Sequence, residues 1–301
     1  NQKVSVYDLG FKLGPRINAA GRIGKSNFGV DLLISNDRHK AQEISSELEK
    51  FNLERKTIEN HVYEMAKQQV NAEMKESKII VVYDEGWHEG VIGIIASRLK
   101  DKYKKPAIVL SVNDGIAKGS GRSIKGIDLG NMIISANQNG ILDKGGGHAM
   151  AAGMTLNKDK IPELINYLNT KLVHKNDHED HQLSYLDMKL SASAINIEVF
   201  NEVESLGPYG SENPEPIFFI DNIKITSLKK IGSDHLKCLG RSENGKFTEC
   251  LAFRSVSTLL GEQLYENEGK SVSLIGKIKV NEWGGRKIPQ FHIEDIASTI
   301  A

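Results

Sequence analysis

The chain has 301 residues, 39% of them hydrophobic and 26% charged, which is typical of a globular protein with room for two domains. Its 39 basic and 39 acidic residues cancel, so net charge alone does not indicate a nucleic-acid partner. No run approaches the roughly 20 apolar residues of a membrane span, and two cysteines exclude a disulfide framework. Cys238 and Cys250 are therefore predicted to be buried side chains of a cytoplasmic protein, and the absence of a starting Met predicts an excised fragment.

Charge is unevenly distributed along the chain. Residues 1–30 contain five basic residues and one acid, and residues 98–125 contain eight basic residues and two acids. Residues 174–204 reverse the balance, with two lysines and seven acids. Such a pattern can present a basic groove on a neutral protein, but scattered solvated charge explains it equally well.

The first two thirds of the chain are predicted to combine a long helix with an α/β domain. In residues 30–75 apolar side chains recur at three- and four-residue steps, and neither Gly nor Pro occurs in residues 37–77. Residues 78–175 then alternate between strand and helix patterns, which predicts a mixed sheet. The strands are predicted at 78–84, 106–112 and 150–156, and the helices at 90–103, 128–136 and 161–173.

A polar linker is predicted at residues 176–185, followed by an all-β domain. The residues around this linker that resemble metal ligands are His174, Asp177, His178, Asp180 and His181. Because a metal site needs ligands on rigid elements, no metal site is predicted there. From residue 186 five short β-type runs alternate with turn signals, which predicts a small OB-type barrel.

A triple-glycine motif is the strongest candidate for a ligand site. Gly145, Gly146 and Gly147 allow a tight turn and close approach to main-chain N–H groups, and His148 can donate to a phosphate or a base. The alternative is a loose surface turn, although the apolar residues that follow tie the motif to a buried strand.

A second candidate is the segment 119–123, Gly-Ser-Gly-Arg-Ser, which follows a predicted strand. The Ser120 hydroxyl and the Arg122 guanidinium together suit a phosphate, and an ordinary turn with an exposed Arg is equally compatible. His88 lies between a strand and a helix, where α/β sheets bind ligands, but it is otherwise a common loop residue.

Near the start of the chain, Arg16, Asn18 and Arg22 form a third candidate between two glycines. Residues 19–26 nearly match a phosphate-binding P-loop, but Ala19 replaces its first Gly and no strand precedes it. An ATPase is therefore excluded.

The β-rich region interleaves aromatic side chains with cations. This pattern suits a single-strand groove, in which bases stack and cations follow the phosphates. The predicted DNA-binding residues are Lys229, Lys230, Lys237, Arg241, Phe247, Trp283 and Arg286. Alternatively, Phe247 belongs to the core and the lysines are solvated, whereas Trp283, beside two glycines, is expected to be exposed.

Seven motifs together resemble those of the RecJ-type exonucleases of the DHH phosphoesterase superfamily. They are LGPRINAAGR (13–22), WHEGVIGIIASRL (87–99), GSGRSIKGIDL (119–129), GGGHAMAAG (145–153), GPYGSENPEP (207–216), HLKCLG (235–240) and NEWGGRKIPQFHIEDI (281–296). GGGH also occurs in other DHH phosphodiesterases and in alanyl-tRNA synthetases, whereas GPRINAAGR and GPYG…NPEP are more specific. Glu212 departs from the family's usual Gly, which puts a tight turn there in doubt.

The resemblance implies an architecture and an activity. The implied regions are the end of the DHH catalytic core (1–30), connecting helices (31–77), the DHH-associated domain (78–175), a linker (176–185) and an OB domain (186–301). The implied function is that of a fragment of a single-stranded-DNA-specific 5′-to-3′ exonuclease of DNA repair and recombination. In this family Mn or Mg in the core activates water for attack at phosphorus. No Asp-His-His triplet occurs here, so the metal ligands are expected outside this chain, which alone is expected to be inactive.

By resemblance, His148 is the catalytic candidate and, with the adjacent glycines, contacts the substrate near the scissile bond. Arg16, Arg22, Ser120 and Arg122 then hold the terminal phosphate and the backbone. The implied partners are single-stranded DNA and a single-strand-binding protein or helicase, with no membrane. Two alternatives stay open: an oligonucleotide or cyclic-dinucleotide phosphodiesterase, and a non-catalytic single-strand-binding module. The OB-like end of the chain disfavours the first, and residues 1–30 disfavour the second.

Overall fold

A computed structural model describes residues 4–24, 27–173, 186–210 and 212–297. It divides into two compact units, residues 1–179 and residues 180–301. The finer division into five regions stays a prediction. In the described ranges no helix is both long enough and apolar enough to cross a membrane.

Short helical segments open the first unit and pack on one long helix. They are a π-helical turn Asp8–Leu13, α1 (Gly14–Ile17), α2 (Ala19–Arg22) and α3 (Phe28–Ile34). Ala19 and Ala20 are fully buried against Leu48 and Phe51 of the 32-residue helix α4 (Arg38–Gln69). The Asp37 carboxylate caps α4 by accepting a hydrogen bond from the His39 backbone N–H at 2.8 Å. The predicted helical region therefore exists, but it is divided into α3, α4 and α5 (Ala72–Glu76).

The α/β part contains a five-stranded sheet in the order β1-β2-β3-β5-β4. Its strands are β1 (Ile80–Glu85), β2 (Ala107–Asn113), β3 (Ile116–Arg122), β4 (Lys144–His148) and β5 (Ala151–Asn157). Only the β1–β2 pair is parallel, because helix α6 (Glu89–Tyr103) crosses over between these strands. The predicted mixed sheet is confirmed.

Helices cover both faces of this sheet. On one face, Val82 and Val109 pack with Val91 and Ile95 of α6 and with α4. On the other, Leu110 and Leu156 pack with helices α7 (Leu129–Gln138) and α8 (Ile161–Val173), the latter preceded by a 3₁₀ turn Lys158–Lys160. Successive residues of β1 and β2 are apolar because both faces of these two strands are buried.

Both glycine-rich motifs lie in strands, which corrects the prediction of a tight turn at residues 145–147 and excludes the alternative of an ordinary turn at residues 119–122. Residues 119–122 lie in β3, and Gly145, Gly146 and Gly147 lie in β4. The glycines of β3 reflect close packing on the α7 face: a Cβ at Gly119 would lie 2.5 Å from Leu110 Cδ2, and one at Gly121 would lie 2.7 Å from Leu129 Cδ2. Gly is therefore required by neighbours that are distant in the sequence, and not by a turn.

The second unit is the predicted small barrel. Its strands are β6 (Met188–Leu190), β7 (Phe218–Ile231), β8 (His235–Arg241), β9 (Phe247–Ala252), β10 (Ser271–Trp283) and β11 (Arg286–Ala297). The order β10-β11-β9-β8-β7-β6, with β10 also paired to β7, closes five strands around one core. Cys238 and Cys250 are cross-strand partners inside this core, so their predicted burial is confirmed.

Helices also occur in the barrel unit, where the sequence patterns indicated only strands. They are a 3₁₀ turn Ala192–Ala194, α9 (Ile197–Ser205) and α10 (Leu259–Glu266). Both α-helices begin at a side-chain cap, since Asn196 accepts from Val199 N–H and Thr258 accepts from Gly261 N–H. Helix α10 lies in the chain between β9 and β10.

Candidate substrate site

Three of the sequence motifs meet at the first turns of α6. The Arg22 guanidinium donates from Nη1 to the carbonyl oxygen of Gly90 at 3.2 Å. A Cβ at Gly90 would lie 1.8 Å from the carbonyl oxygen of Arg22, so only glycine allows α2 to approach this closely. This contact brings the segment that ends at Arg22 against the helix that follows β1.

The third motif reaches the same helix from β3. The Arg122 guanidinium donates from Nη1 to Ser120 Oγ at 3.0 Å and to the Gly121 carbonyl oxygen at 2.8 Å. A Cβ at Gly93 would lie 3.1 Å from both Arg122 Nη2 and Ser120 Oγ. Gly90 and Gly93 therefore form one side of α6, against which the arginine-bearing segments pack.

The site has an excess of positive charge. In the part of the chain that the structure describes, neither Arg22 nor Arg122 forms an ion pair with a carboxylate. Burial lowers the pKa of the Arg122 guanidinium below its ordinary value, and the positive charge of Arg22 lowers it further. Two neighbouring guanidiniums, a hydroxyl and the positive end of a 15-residue helix together suit an anion.

His88 caps this helix. Its Nδ1 accepts a hydrogen bond from the Gly90 backbone N–H at 3.0 Å. In the neutral ring the proton is then on Nε2, so the exposed side chain presents a donor at the start of α6. The predicted placement of His88 at the end of β1 agrees with the structure, but its first role is to satisfy the helix terminus.

His148 lies on the same face of the sheet as Arg122. Ala151 is the Cα partner of both residues, and directly opposed residues in a ladder point to the same face. Two strand spacings separate His148 from Arg122, or about 10 Å. The His148 side chain is exposed. Its main chain packs closely on Gly130 of α7, since a Cβ at Gly130 would lie only 2.8 Å from the His148 carbonyl.

Between these two side chains lies a surface of main chain. Gly146 and Gly153 are cross-strand partners in register with Ser120, and a Cβ on either glycine would meet no atom within 4 Å. A shallow recess of about 340 Å³ beside them is lined by Lys144 and Thr155. The sheet therefore offers an open glycine surface bordered by Ser120, Arg122 and His148.

Among the described residues, the side chains of Arg16 and Asn18 form no hydrogen bond or ion pair with Arg22, Ser120 or Arg122. The Arg16 guanidinium is paired with the Glu49 carboxylate of α4 and donates to the Lys12 carbonyl oxygen at 2.8 Å. The Asn18 side chain is exposed at the end of α1. The structure therefore gives Arg16 a role in attaching α1 to α4, and its predicted contact with substrate stays a prediction.

The predicted cations of the barrel are on its outer surface. Lys229 and Lys230 are exposed on β7, and Arg286 is exposed at the start of β11. Lys237 is the cross-strand partner of Lys229, and its ammonium contacts the Glu249 carboxylate at 2.7 Å. Burial raises the pKa of Glu249, but hydrogen bonds from Lys237 and Gln290 outweigh this and lower it below its usual value.

Of the two predicted aromatic residues of the barrel, the structure describes the side chain of Phe247. Phe247 is 53% exposed and its ring centroid lies 5.6 Å from the Arg241 guanidinium carbon, so the alternative that it belongs to the core is wrong. The side chain of Trp283 is outside the part of the chain that the structure describes. An exposed ring beside a guanidinium has the character of a base-stacking position.

Comparison with known proteins identifies the family. Residues 76–174 match the DHHA1 domain model, and residues 186–295 match the RecJ OB domain model. The chain is 36% identical over 296 residues to the single-stranded-DNA-specific exonuclease RecJ of Bacillus subtilis (strain 168), a match that covers 96% of this chain. This chain belongs to the RecJ family. The RecJ of Haemophilus influenzae is 35% identical over 302 residues, covering 96% of this chain.

Solved RecJ structures share the fold. RecJ from Thermus thermophilus, solved in complex with Mg²⁺ and with Mn²⁺, matches with a TM-score of 0.81 at 26% identity and covers 99% of this chain. The chain spans 36% and 51% of the two curated relatives and 44% and 42% of the two solved chains. It therefore corresponds to only a part of each RecJ protein that it matches.

A Mg²⁺ or Mn²⁺ site does not fit the described residues. Within the ranges given above, His, Cys, Asp and Glu form no group of three or more that could hold a metal ion. The residues at 174–181 that resemble metal ligands lie outside the described residues. No part of the metal chemistry of RecJ relatives is therefore assigned to this chain.

The packing role of Gly90 and Gly93 was not predicted from the sequence. Two glycines three residues apart in an otherwise helical pattern were the available signal, because glycine inside a helix is unfavourable and usually has a packing reason. In this RecJ-family chain the reason is the approach of Arg22 and Arg122.

Proposed function

We propose that this chain holds the single-stranded DNA substrate of a RecJ exonuclease that digests DNA from its 5′ end in repair and recombination. The observation that carries the proposal is the pair of guanidiniums, Arg22 and Arg122, which have no carboxylate partner among the described residues. An unneutralised pair beside a hydroxyl and a helix N-terminus fits a terminal phosphate.

The α/β unit is proposed to hold the 5′ end. Arg122 and Arg22 bind the terminal phosphate with the Ser120 hydroxyl, and the glycine surface of β4 and β5 lets the backbone approach. His148, about 10 Å along the same face, is placed to donate from its imidazole to a phosphoryl oxygen near the scissile bond. This makes His148 the catalytic candidate of the chain.

The barrel unit is proposed to bind the strand downstream of the end. Lys229, Lys237 and Arg241 follow the phosphates, and Phe247 stacks a base. Single-stranded DNA is the proposed partner, together with a single-strand-binding protein or helicase, in the cytoplasm. Because the described residues do not fit a metal site, this chain alone is proposed to be inactive. Mn²⁺-dependent hydrolysis that is abolished by His148→Ala would contradict this.

Fluorescence anisotropy with labelled single-stranded and duplex DNA, each with and without a 5′-phosphate, tests the proposal. We expect a preference for single strands and tighter binding of the phosphorylated end. Arg122→Gln should remove the phosphate-dependent increment, whereas Lys102→Gln, which removes one charge at the other end of α6, should preserve it. Equal affinity for duplex DNA, or an increment that survives Arg122→Gln, would contradict the proposal.

A further inference from the structure

Three aromatic rings form a cluster at one end of the outer face of β8 and β9. The Phe253 ring centroid lies 5.1 Å from that of His235 and 4.9 Å from that of His292, at interplanar angles of 64° and 61°. These are edge-to-face contacts, which orient the ring. Phe253 is nevertheless 51% exposed, so a rigidly held aromatic surface faces solvent.

The two imidazoles are themselves held in place. His235 Nδ1 accepts a hydrogen bond from the Arg254 backbone N–H at 2.9 Å. Burial, followed by the charge of Lys279, lowers the pKa of His292 to about 4, although Glu294 opposes this. The His292 ring is therefore neutral near pH 7.

A groove of about 370 Å³ lies beside this cluster, within the size range of small-ligand sites. Its lining includes Phe253, His292, Leu251, Lys237, Gln290 and Asn281. Lys237 is the Cα partner of Leu251, and Leu251 is the Cα partner of His292, so these residues form one row across three strands. The groove thus combines an aromatic wall with an apolar and partly polar lining.

The charges around the groove favour a polyanion. Among the described residues, Lys229 and Arg254, the residue after Phe253, form no ion pair with a carboxylate, whereas Lys237 and Lys279 are paired with Glu249 and Glu215. Lys229 extends the row of Lys237, Leu251 and His292 onto β7. Free cations beside a rigid exposed ring match the two requirements of a single strand, stacking for its bases and positive charge for its phosphates.

We infer that Phe253, held between His235 and His292, stacks a nucleobase of a single-stranded DNA bound in this groove. The inference rests on the proposed function of the barrel and adds a binding position that the predicted set did not contain. Phe247 begins β9 and Phe253 directly follows its last residue, Ala252, so the two aromatic residues are six positions apart, or at most about 20 Å. The two rings therefore lie at the two ends of one proposed DNA-binding surface along β9.

Binding of two oligonucleotides to the full 301-residue chain tests this inference. One is a labelled oligothymidylate of about 12 nucleotides, within the site sizes of OB domains, and the other is an abasic strand of equal length. Phe253→Leu keeps an apolar side chain and removes the ring. We expect it to weaken oligothymidylate binding roughly ten-fold and to leave abasic binding within about two-fold.

Two further variants complete the design. Phe253→Trp enlarges the stacking surface and should retain affinity, and Tyr265→Leu removes an exposed ring on α10 and should change nothing. Thermal melting followed by circular dichroism establishes that each variant is folded. Unchanged oligothymidylate affinity in Phe253→Leu, or equal losses on both strands, overturns this inference while the proposed function stands. A wild-type chain that binds no single strand would overturn the proposed function itself.

Discussion

Arg22 and Gly90 are 68 positions apart in the chain, yet the Arg22 guanidinium donates to the Gly90 carbonyl oxygen at 3.2 Å and the two main chains are in contact. The absence of a side chain at Gly90 is what makes this approach feasible. The position of Arg22 relative to Arg122 therefore depends on one glycine in the first turn of α6.

Gly90→Ala tests this dependence. A Cβ 1.8 Å from the Arg22 carbonyl oxygen requires α2 to move, so we expect a loss of about 1–3 kcal/mol in the free energy of unfolding and weaker binding of 5′-phosphorylated DNA. Gly21→Ala is the matched control, because its Cβ meets nothing within 4 Å and the residue is helical. The control should be neutral or stabilising by up to about 1 kcal/mol. Equal urea midpoints for the two variants would contradict the expectation.

The charge of Arg122 should also contribute to the salt dependence of single-stranded DNA binding. If Arg122 contacts one phosphate of a single strand, Arg122→Gln should reduce the slope of log K against log salt by about 0.7. Anisotropy titrations at several salt concentrations give this slope. Lys102→Gln removes the same charge away from the site, and its slope should match that of the wild type. A slope unchanged in Arg122→Gln would show that Arg122 neutralises no phosphate of the bound strand.

A buried ion network joins α4 to α6. The Glu59 carboxylate accepts from Arg55 at 2.5 Å and from Arg98 at 3.1 Å, and the Arg98 guanidinium carbon lies 3.7 Å from the Tyr63 ring centroid. Arg55 is only 8% exposed. Glu59→Ala leaves this buried guanidinium without a counter-charge and should cost about 3–5 kcal/mol of unfolding free energy.

The control for this network is an exposed pair on the same helix. Glu47 and Lys50 of α4 are 2.6 Å apart, and Glu47→Ala should change the free energy of unfolding by at most about 1 kcal/mol. Both values come from urea denaturation. Similar losses in the two variants would mean that burial does not strengthen the dependence of Arg55 on Glu59.

His292 predicts how stability depends on pH. Its pKa is lowered from 6.5 to about 4, chiefly by burial, so between these values the unfolded chain binds more protons than the folded one. The resulting contribution to stability is present above pH 6.5 and is lost progressively as the pH falls towards 4. His292→Phe keeps a ring and removes the titration, so its urea midpoint should fall less over this window. Parallel pH profiles would refute this role of His292.

Local patterns predicted much of the fold, because most elements have their own periodicity. Strand β1, helix α6 and helix α8 all lie where alternation or three- and four-residue spacing indicated them. The barrel helices α9 and α10 were missed because each is short and is defined mainly by its cap. Hydrophobic periodicity therefore predicts a helix or strand best when that element buries a whole face.

The candidate site could be predicted only in part. Arg22, Ser120 and Arg122 were recognised as phosphate-binding types, but their proximity depends on Gly90 and Gly93, whose role appears only when helix and strand meet. Residues 145–147 were predicted to form a tight turn, and a turn was one alternative for residues 119–123, because glycine usually indicates one. Phe253, His235 and His292 come from three separated segments, and strand register alone brings them together.

The glycine residues of β4 limit how well the open surface of the sheet can distinguish one bound sequence from another. It is the last strand of its sheet, and Gly146 on β4 and Gly153 on β5 present only main chain on the open face. Peptide groups are identical at every position, so the part of a polymer that lies over these two glycines contacts main chain alone, which does not distinguish one unit from another. Such a surface has no preference for the sequence of a bound polymer. The polymer can therefore move across it one unit at a time, because every unit makes the same contacts there.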